Sequence, residues 1–154
     1  MTPTAGNPVE AAEQTVRAFL EADATARAHG ITVSRVAPGE VTAHMTVTET
    51  MLNGYGSAHG SALFAVADIA FAMACNSHDH LAIGRSCQIE YLAPAFAGDE
   101  LVATAVERAY EGRTGIYDVA VRRAADGALL AEMRGHSRTI SGRPDRSRSP
   151  QLES

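Results

Sequence analysis

The stretch HGSALFAVADIAFAMACNSHDH, residues 59–80 of a 154-residue chain, holds the longest apolar run in the sequence and keeps one carboxylate, Asp68, in its middle. Burying an ionised carboxylate without partners costs on the order of several kcal/mol, so Asp68 must either be held by local hydrogen bonds or be used. Asn53 and then GYGSAHG, residues 54–60, lead into this run. A buried helix that starts here presents unpaired N–H groups and the positive end of its dipole, a setting that stabilises a developing oxyanion. Gly60 has no side chain, so a carbonyl can approach its amide, while Asp68 supplies a base or a nucleophile. The pair suits acyl transfer. His59 beside the helix start either orients substrate or bonds the loop, and Asn53 is either a turn residue before Gly54 or polar support for the pocket. Ser61 is the expected helix N-cap. On residue chemistry alone, the structural and catalytic readings of Asp68 both stand.

Other chemistries find little footing. A net charge of −5 with 13 scattered Lys and Arg argues against a nucleic-acid protein, which needs a clustered basic surface. The Ser77–His80 segment, SHDH, resembles a metal cluster only superficially, because neighbouring loop ligands without a distant third one rarely close a site. GYGSAHG is no dinucleotide fingerprint, since His59 stands at its third glycine position, and no Gly-x-Ser-x-Gly elbow occurs. Cys75 and Cys87 read as reduced, packed thiols, which suits a cytoplasmic location, as does an N-terminus whose first basic residue is Arg17. His29, His44 and His136 read as surface or packed residues. The apolar run 62–75 is too short to cross a bilayer, which takes roughly 18 to 20 residues, and reads as a core helix.

The elements that must position these residues follow from pattern. Residues 9–30, rich in Ala and Glu and ending on Gly30, predict one amphipathic helix. Two strands joined at Pro38-Gly39-Glu40 follow, with Val41, Ala43, Met45 and Val47 alternating against Thr42, His44, Thr46 and Thr48. After the loop comes the helix 62–75, apolar all round, whose six alanines let neighbours approach its backbone. Runs 82–92, 100–110, 115–124 and 128–140 read as four strands with no helix between them, which implies antiparallel pairing. The expected fold is α+β: residues 1–30 packing on the domain, residues 31–140 as a curved antiparallel sheet wrapped around a central apolar helix, and a disordered tail at 141–154.

MLNGYGSAHGSALFAVADIAFAMACNS, with IEYLAPAFAGDELVATA and GIYDVAV, resembles the hotdog-fold acyl-coenzyme A thioesterases of the phenylacetic acid degradation (PaaI) type, over roughly residues 10 to 140. Its pattern of Asn, then His-Gly-Gly, then Leu-Ala-Asp-x-Ala-Phe-Ala-x-Ala-Cys-Asn fits nearly position for position. The resemblance implies that Asp68 is the catalytic carboxylate, that the Gly60 amide polarises the thioester carbonyl, and that Asn53, His59 and Ser61 line the substrate pocket. Ser61 departs from a second Gly, and Ala93 in YLAP departs from an Arg found in many relatives, so any phosphate contact that Arg would make to coenzyme A must be absent or supplied elsewhere. The implied activity is hydrolysis of an acyl-CoA, phenylacetyl or hydroxyphenylacetyl in type, without metal or cofactor. A homodimer at least, and by resemblance a homotetramer, is implied, with the site at the subunit interface. A hotdog dehydratase or hydratase and a non-catalytic acyl-CoA-binding protein are the alternatives.

Overall fold

The computed structural model describes residues 6–142. Two helices, α1 (Pro8–Ala22) and α2 (Ala24–His29), precede strands β1 (Thr32–Ala37) and β2 (Glu40–Thr46). Helix α3 (Gly60–Cys75) follows, and then β3 (His80–Tyr91), β4 (Glu100–Glu111), β5 (Thr114–Arg123) and β6 (Leu129–Gly142). All six strands form one antiparallel sheet in the order β1-β2-β4-β5-β6-β3. The antiparallel sheet around one apolar helix is as the sequence predicts.

Local chemistry accounts for the joints. Pro38 and Gly39, the latter at φ 75°, make the β1–β2 turn, where a positive φ after proline favours glycine. Ser77 Oγ accepts the Gly39 amide at 2.7 Å, which fastens that turn to the end of α3. Asn76, the C-cap of α3, donates to the carbonyls of Ala72 and Ala82 and accepts from the Ala82 amide, stitching the helix end to β3.

Along β2 the alternation holds. Val41, Ala43, Met45 and Val47 are buried, and with Leu101, Ala103 and Ala105 of β4 and Val119 and Val121 of β5 they face Val66, Ala67, Ala70, Phe71 and Ala74 of α3 in one core. Small residues on both surfaces bring helix and sheet close. The sheet covers only one side of α3, however. Ser61, Phe64, Ala65, Asp68 and Ala72, spaced as one helical face, are left exposed or half-buried, so the protomer does not wrap the helix completely.

Three boundaries differ from expectation. The predicted single helix 9–30 breaks at Asp23, which adopts extended dihedrals and caps α2 by accepting from the Ala26 amide at 2.9 Å. Aspartate is among the best N-caps, so its side chain competes for a helix start where composition suggests continuity. α3 begins at Gly60 with His59 as its N-cap, not Ser61. β6 runs to Gly142, so the tail predicted from 141 starts inside a strand; the rest of it lies outside the described residues, as do residues 1–5. Among the described residues no helix is long and apolar enough to cross a membrane.

Candidate active site

The loop before α3 is built by Asn53. Its Oδ1 accepts the amides of Tyr55 at 2.9 Å and Ser57 at 3.3 Å, and its Nδ2 donates to Ser57 Oγ at 3.1 Å. Backbone bonds from Ala58 N to Ala95 O and from His59 N to Met51 O, both 2.7 Å, tie the loop to its flanks. Asn53 therefore sets the approach to α3 through the loop it folds.

At the helix start the N–H groups can be accounted for one by one. His59 Nδ1 accepts from the Ser61 amide at 3.2 Å and lies 3.0 Å from the Ser61 hydroxyl. Accepting at Nδ1 places the proton of the neutral imidazole on Nε2, on an exposed ring. The Ala62 amide donates to the His59 carbonyl at 2.9 Å, and the Leu63 amide is directed at the same oxygen. The Gly60 N–H has no partner among the described residues. Of the first three amides of α3, the one expected to polarise a carbonyl is the one left free.

Gly60 is also more crowded than a lone open amide would be. A Cβ there would lie 2.9 Å from Cζ of Tyr91 and 3.2 Å from its hydroxyl oxygen. Part of the demand for glycine thus comes from the protein's own aromatic ring. Tyr91, the last residue of β3, lies 31 positions further along the chain, and only the packing of β3 beside α3 brings it here.

Asp68 stands half-buried on the uncovered face of α3 and makes no hydrogen bond or ion pair with any described residue. Burial raises its carboxyl above the ordinary aspartate value, and the nearby charge of Asp23 raises it further. A structural anchor would have bonded partners; among the described residues Asp68 has none. At 1.5 Å per residue, the eight steps from Gly60 to Asp68 span about 12 Å of helix. A reacting carbonyl sits within about 3 Å of both its donor and its attacking group, so this amide and this carboxylate of one chain cannot serve the same carbonyl.

The thiols offer no competing nucleophile. Burial pushes Cys75 up to about 12, and burial with the Asp68 charge raises Cys87. Cys87 is exposed in the protomer, which corrects the expectation that both thiols are packed. His78, from the SHDH segment, bonds Glu107 at 2.7 Å and stacks on His80, tying the end of α3 to β4. Asp23 and Tyr91 are the residues near the site that sequence reasoning did not single out, because both reach it through tertiary packing.

Residues 55–129 match the model of the thioesterase superfamily. The chain is 44% identical over 129 residues to the acyl-coenzyme A thioesterase PaaI of Escherichia coli K12, spanning 84% of this chain and 91% of that one. It is 34% identical to a putative esterase of Deinococcus radiodurans, with 84% and 86% covered. The solved structure of the E. coli PaaI protein, from the phenylacetic acid degradation operon, superposes with a TM-score of 0.86 at 42% identity, covering 89% of this chain and 99% of that one.

Proposed function

This chain belongs to the thioesterase superfamily with the hotdog fold, hydrolases of thioester bonds, and from that premise we propose that it cleaves an aryl-acetyl coenzyme A of the phenylacetyl or hydroxyphenylacetyl type. Its similarity to the PaaI thioesterase carries the coarser assignment, an acyl-CoA thioesterase. The observation that carries the mechanism is the pairing of an unbonded, desolvated carboxylate at Asp68 with a free helix-start amide at Gly60. In this reading the Gly60 N–H holds the thioester oxygen as it gains charge. Asp68 delivers the attacking oxygen, by drawing a proton from the water that adds to the carbonyl or by adding itself. Collapse of the tetrahedral adduct breaks the C–S bond and expels coenzyme A as its thiolate, which is protonated from water or from the protonated Asp68, leaving the free acid or an Asp68 anhydride that water then hydrolyses. Asn53 and His59 hold the loop and the helix start, and Ser61 lines the pocket beside them. None of these steps calls for a metal or cofactor, and the reaction is placed in the cytoplasm.

A span of about 12 Å between Gly60 and Asp68 makes the site composite. Asp68 of one protomer meets the helix start of another, which requires at least a homodimer, and the resemblance extends this to a homotetramer. Two surfaces support it: the uncovered face of α3, and the twelve-residue edge strand β3, which pairs with β6 on one side only. Long unprotected edges seek a partner strand. Placing a charge on that face by Ala65→Glu, where the side chain is half-buried in the protomer, is expected to give a folded monomer in sedimentation that releases no thiol. A monomeric variant with wild-type turnover would rule out a shared site.

The primary test is a panel of acyl-CoA substrates with thiol release followed by a disulfide reagent. Aryl-acetyl thioesters are expected to turn over fastest, and absence of thiol release across the panel would end the proposal. Asp23 adds a pH prediction. The ionised form of Asp68 attacks, so kcat/KM rises with pH through its raised pKa. Asp23→Asn keeps a capping oxygen for Ala26 but removes the like charge, which lowers that pKa and moves the acid limb of the profile to lower pH. An acid limb that does not move would show that the Asp23 charge does not reach the working carboxylate.

A further inference from the structure

We infer that the Tyr91 hydroxyl is a second hydrogen-bond donor to the thioester oxygen, completing with the Gly60 amide a two-donor oxyanion site; this rests on the thioesterase reading above. A tetrahedral oxyanion is commonly held by more than one donor, and at the start of α3 the backbone offers only one. The Ser61 amide is committed to His59 Nδ1, and the Ala62 amide to the His59 carbonyl. Gly60 alone remains. Tyr91 stands at that residue: its hydroxyl oxygen lies 3.2 Å, and Cζ of its ring 2.9 Å, from where a Gly60 Cβ would be. The phenol therefore packs against the first residue of α3, the one whose amide is free.

The backbone that carries the ring is held in place while the hydroxyl stays available. Leu92 N donates to Leu130 O at 2.8 Å just after Tyr91, and Ala95 O accepts from Ala58 N at 2.7 Å, which fastens this segment to the loop that enters α3. Tyr91 keeps 51% of its surface exposed, and its hydroxyl has no hydrogen-bond partner among the described residues. A free O–H packed against the residue that carries the free N–H puts two donors at one helix N-terminus. The tyrosine proton stays on its oxygen throughout, so it lends charge stabilisation and takes no part in proton transfer.

Tyr91→Phe removes the hydroxyl and keeps the ring that packs on Gly60. With the most active acyl-CoA as substrate, kcat is expected to fall on the order of 100-fold, the scale of one oxyanion donor. Melting temperature should not change, and neither should the affinity for a thioether analogue of that acyl-CoA, which lacks the carbonyl oxygen. Wild-type kcat in the variant overturns the assignment. So does a loss of thioether affinity as large as the loss of kcat, because the hydroxyl would then be serving ground-state binding. Active wild-type enzyme with an equally active variant refutes Tyr91 alone, whereas a wild-type protein that releases no thiol from any acyl-CoA takes the thioesterase reading down with it.

Discussion

Asp68→Asn is expected to lower thioester turnover by about 100-fold or more while leaving the protein at least as stable as the wild type. The kinetic part follows from chemistry: asparagine matches the shape of aspartate and retains an acceptor oxygen, but it neither takes up a proton nor attacks a thioester readily, and losing a positioned base costs about this much. The stability part follows from the raised pKa. Because the folded state binds the Asp68 proton more tightly than the unfolded chain does, the carboxyl's stabilising contribution is complete below its unfolded pKa and is lost as pH rises through the higher folded value. At neutral pH the ionised group therefore works against folding. No hydrogen bond to the described residues offsets this, so a neutral amide removes a cost and melting should stay level or rise. Thermal melting and thiol release on one preparation decide the matter. A lower melting temperature with normal turnover per folded molecule would mean that Asp68 is a structural group.

Gly60→Pro is expected to cut kcat by about 100- to 1,000-fold, equivalent to about 2.7–4 kcal/mol, the range for loss of one oxyanion donor. Proline is well tolerated at the first position of a helix, so α3 should still form. The contact with Tyr91 calls for a companion variant, because any side chain at residue 60 enters the space of that ring. Gly60→Ala keeps the N–H and intrudes on the same half-exposed ring, which has room to swing outward. The excess loss in the proline variant over the alanine variant isolates the amide. Equal losses in both would trace the effect to displacement of Tyr91 and leave the Gly60 N–H without a catalytic role.

Much of the protein is legible in one dimension because its governing interactions are local or periodic. The alternation along β2, the turn at Pro38-Gly39 and the strands without intervening helices are set by the two-residue period of a strand and by turn chemistry. Asp68 stands out in the sequence for a related reason: a carboxylate in an unbroken apolar run conflicts with burial wherever the run packs. Gly60 and the helix start are legible from the Asn, His and Gly before it, although the capping group is His59 Nδ1, whose geometry no spacing rule reveals.

The break at Asp23 lay within reach of the sequence. Aspartate is a strong N-cap, but the alanine-rich composition around it favoured a continuous helix, and the capping bond to Ala26 decided between the two. The partnerships at the site depended on tertiary structure alone. Tyr91 meets Gly60 because β3 ends beside the N-terminus of α3, and Asp23 acts on Asp68 because the α1–α2 break lies near that face; such contacts depend on how elements pack, which a sequence pattern does not encode. The uncovered stripe from Ser61 to Ala72 is of the same kind. The apolar sequence of α3 says only that the helix must be buried, and the packing of the sheet determines which side it covers and which face, Asp68 included, it leaves uncovered.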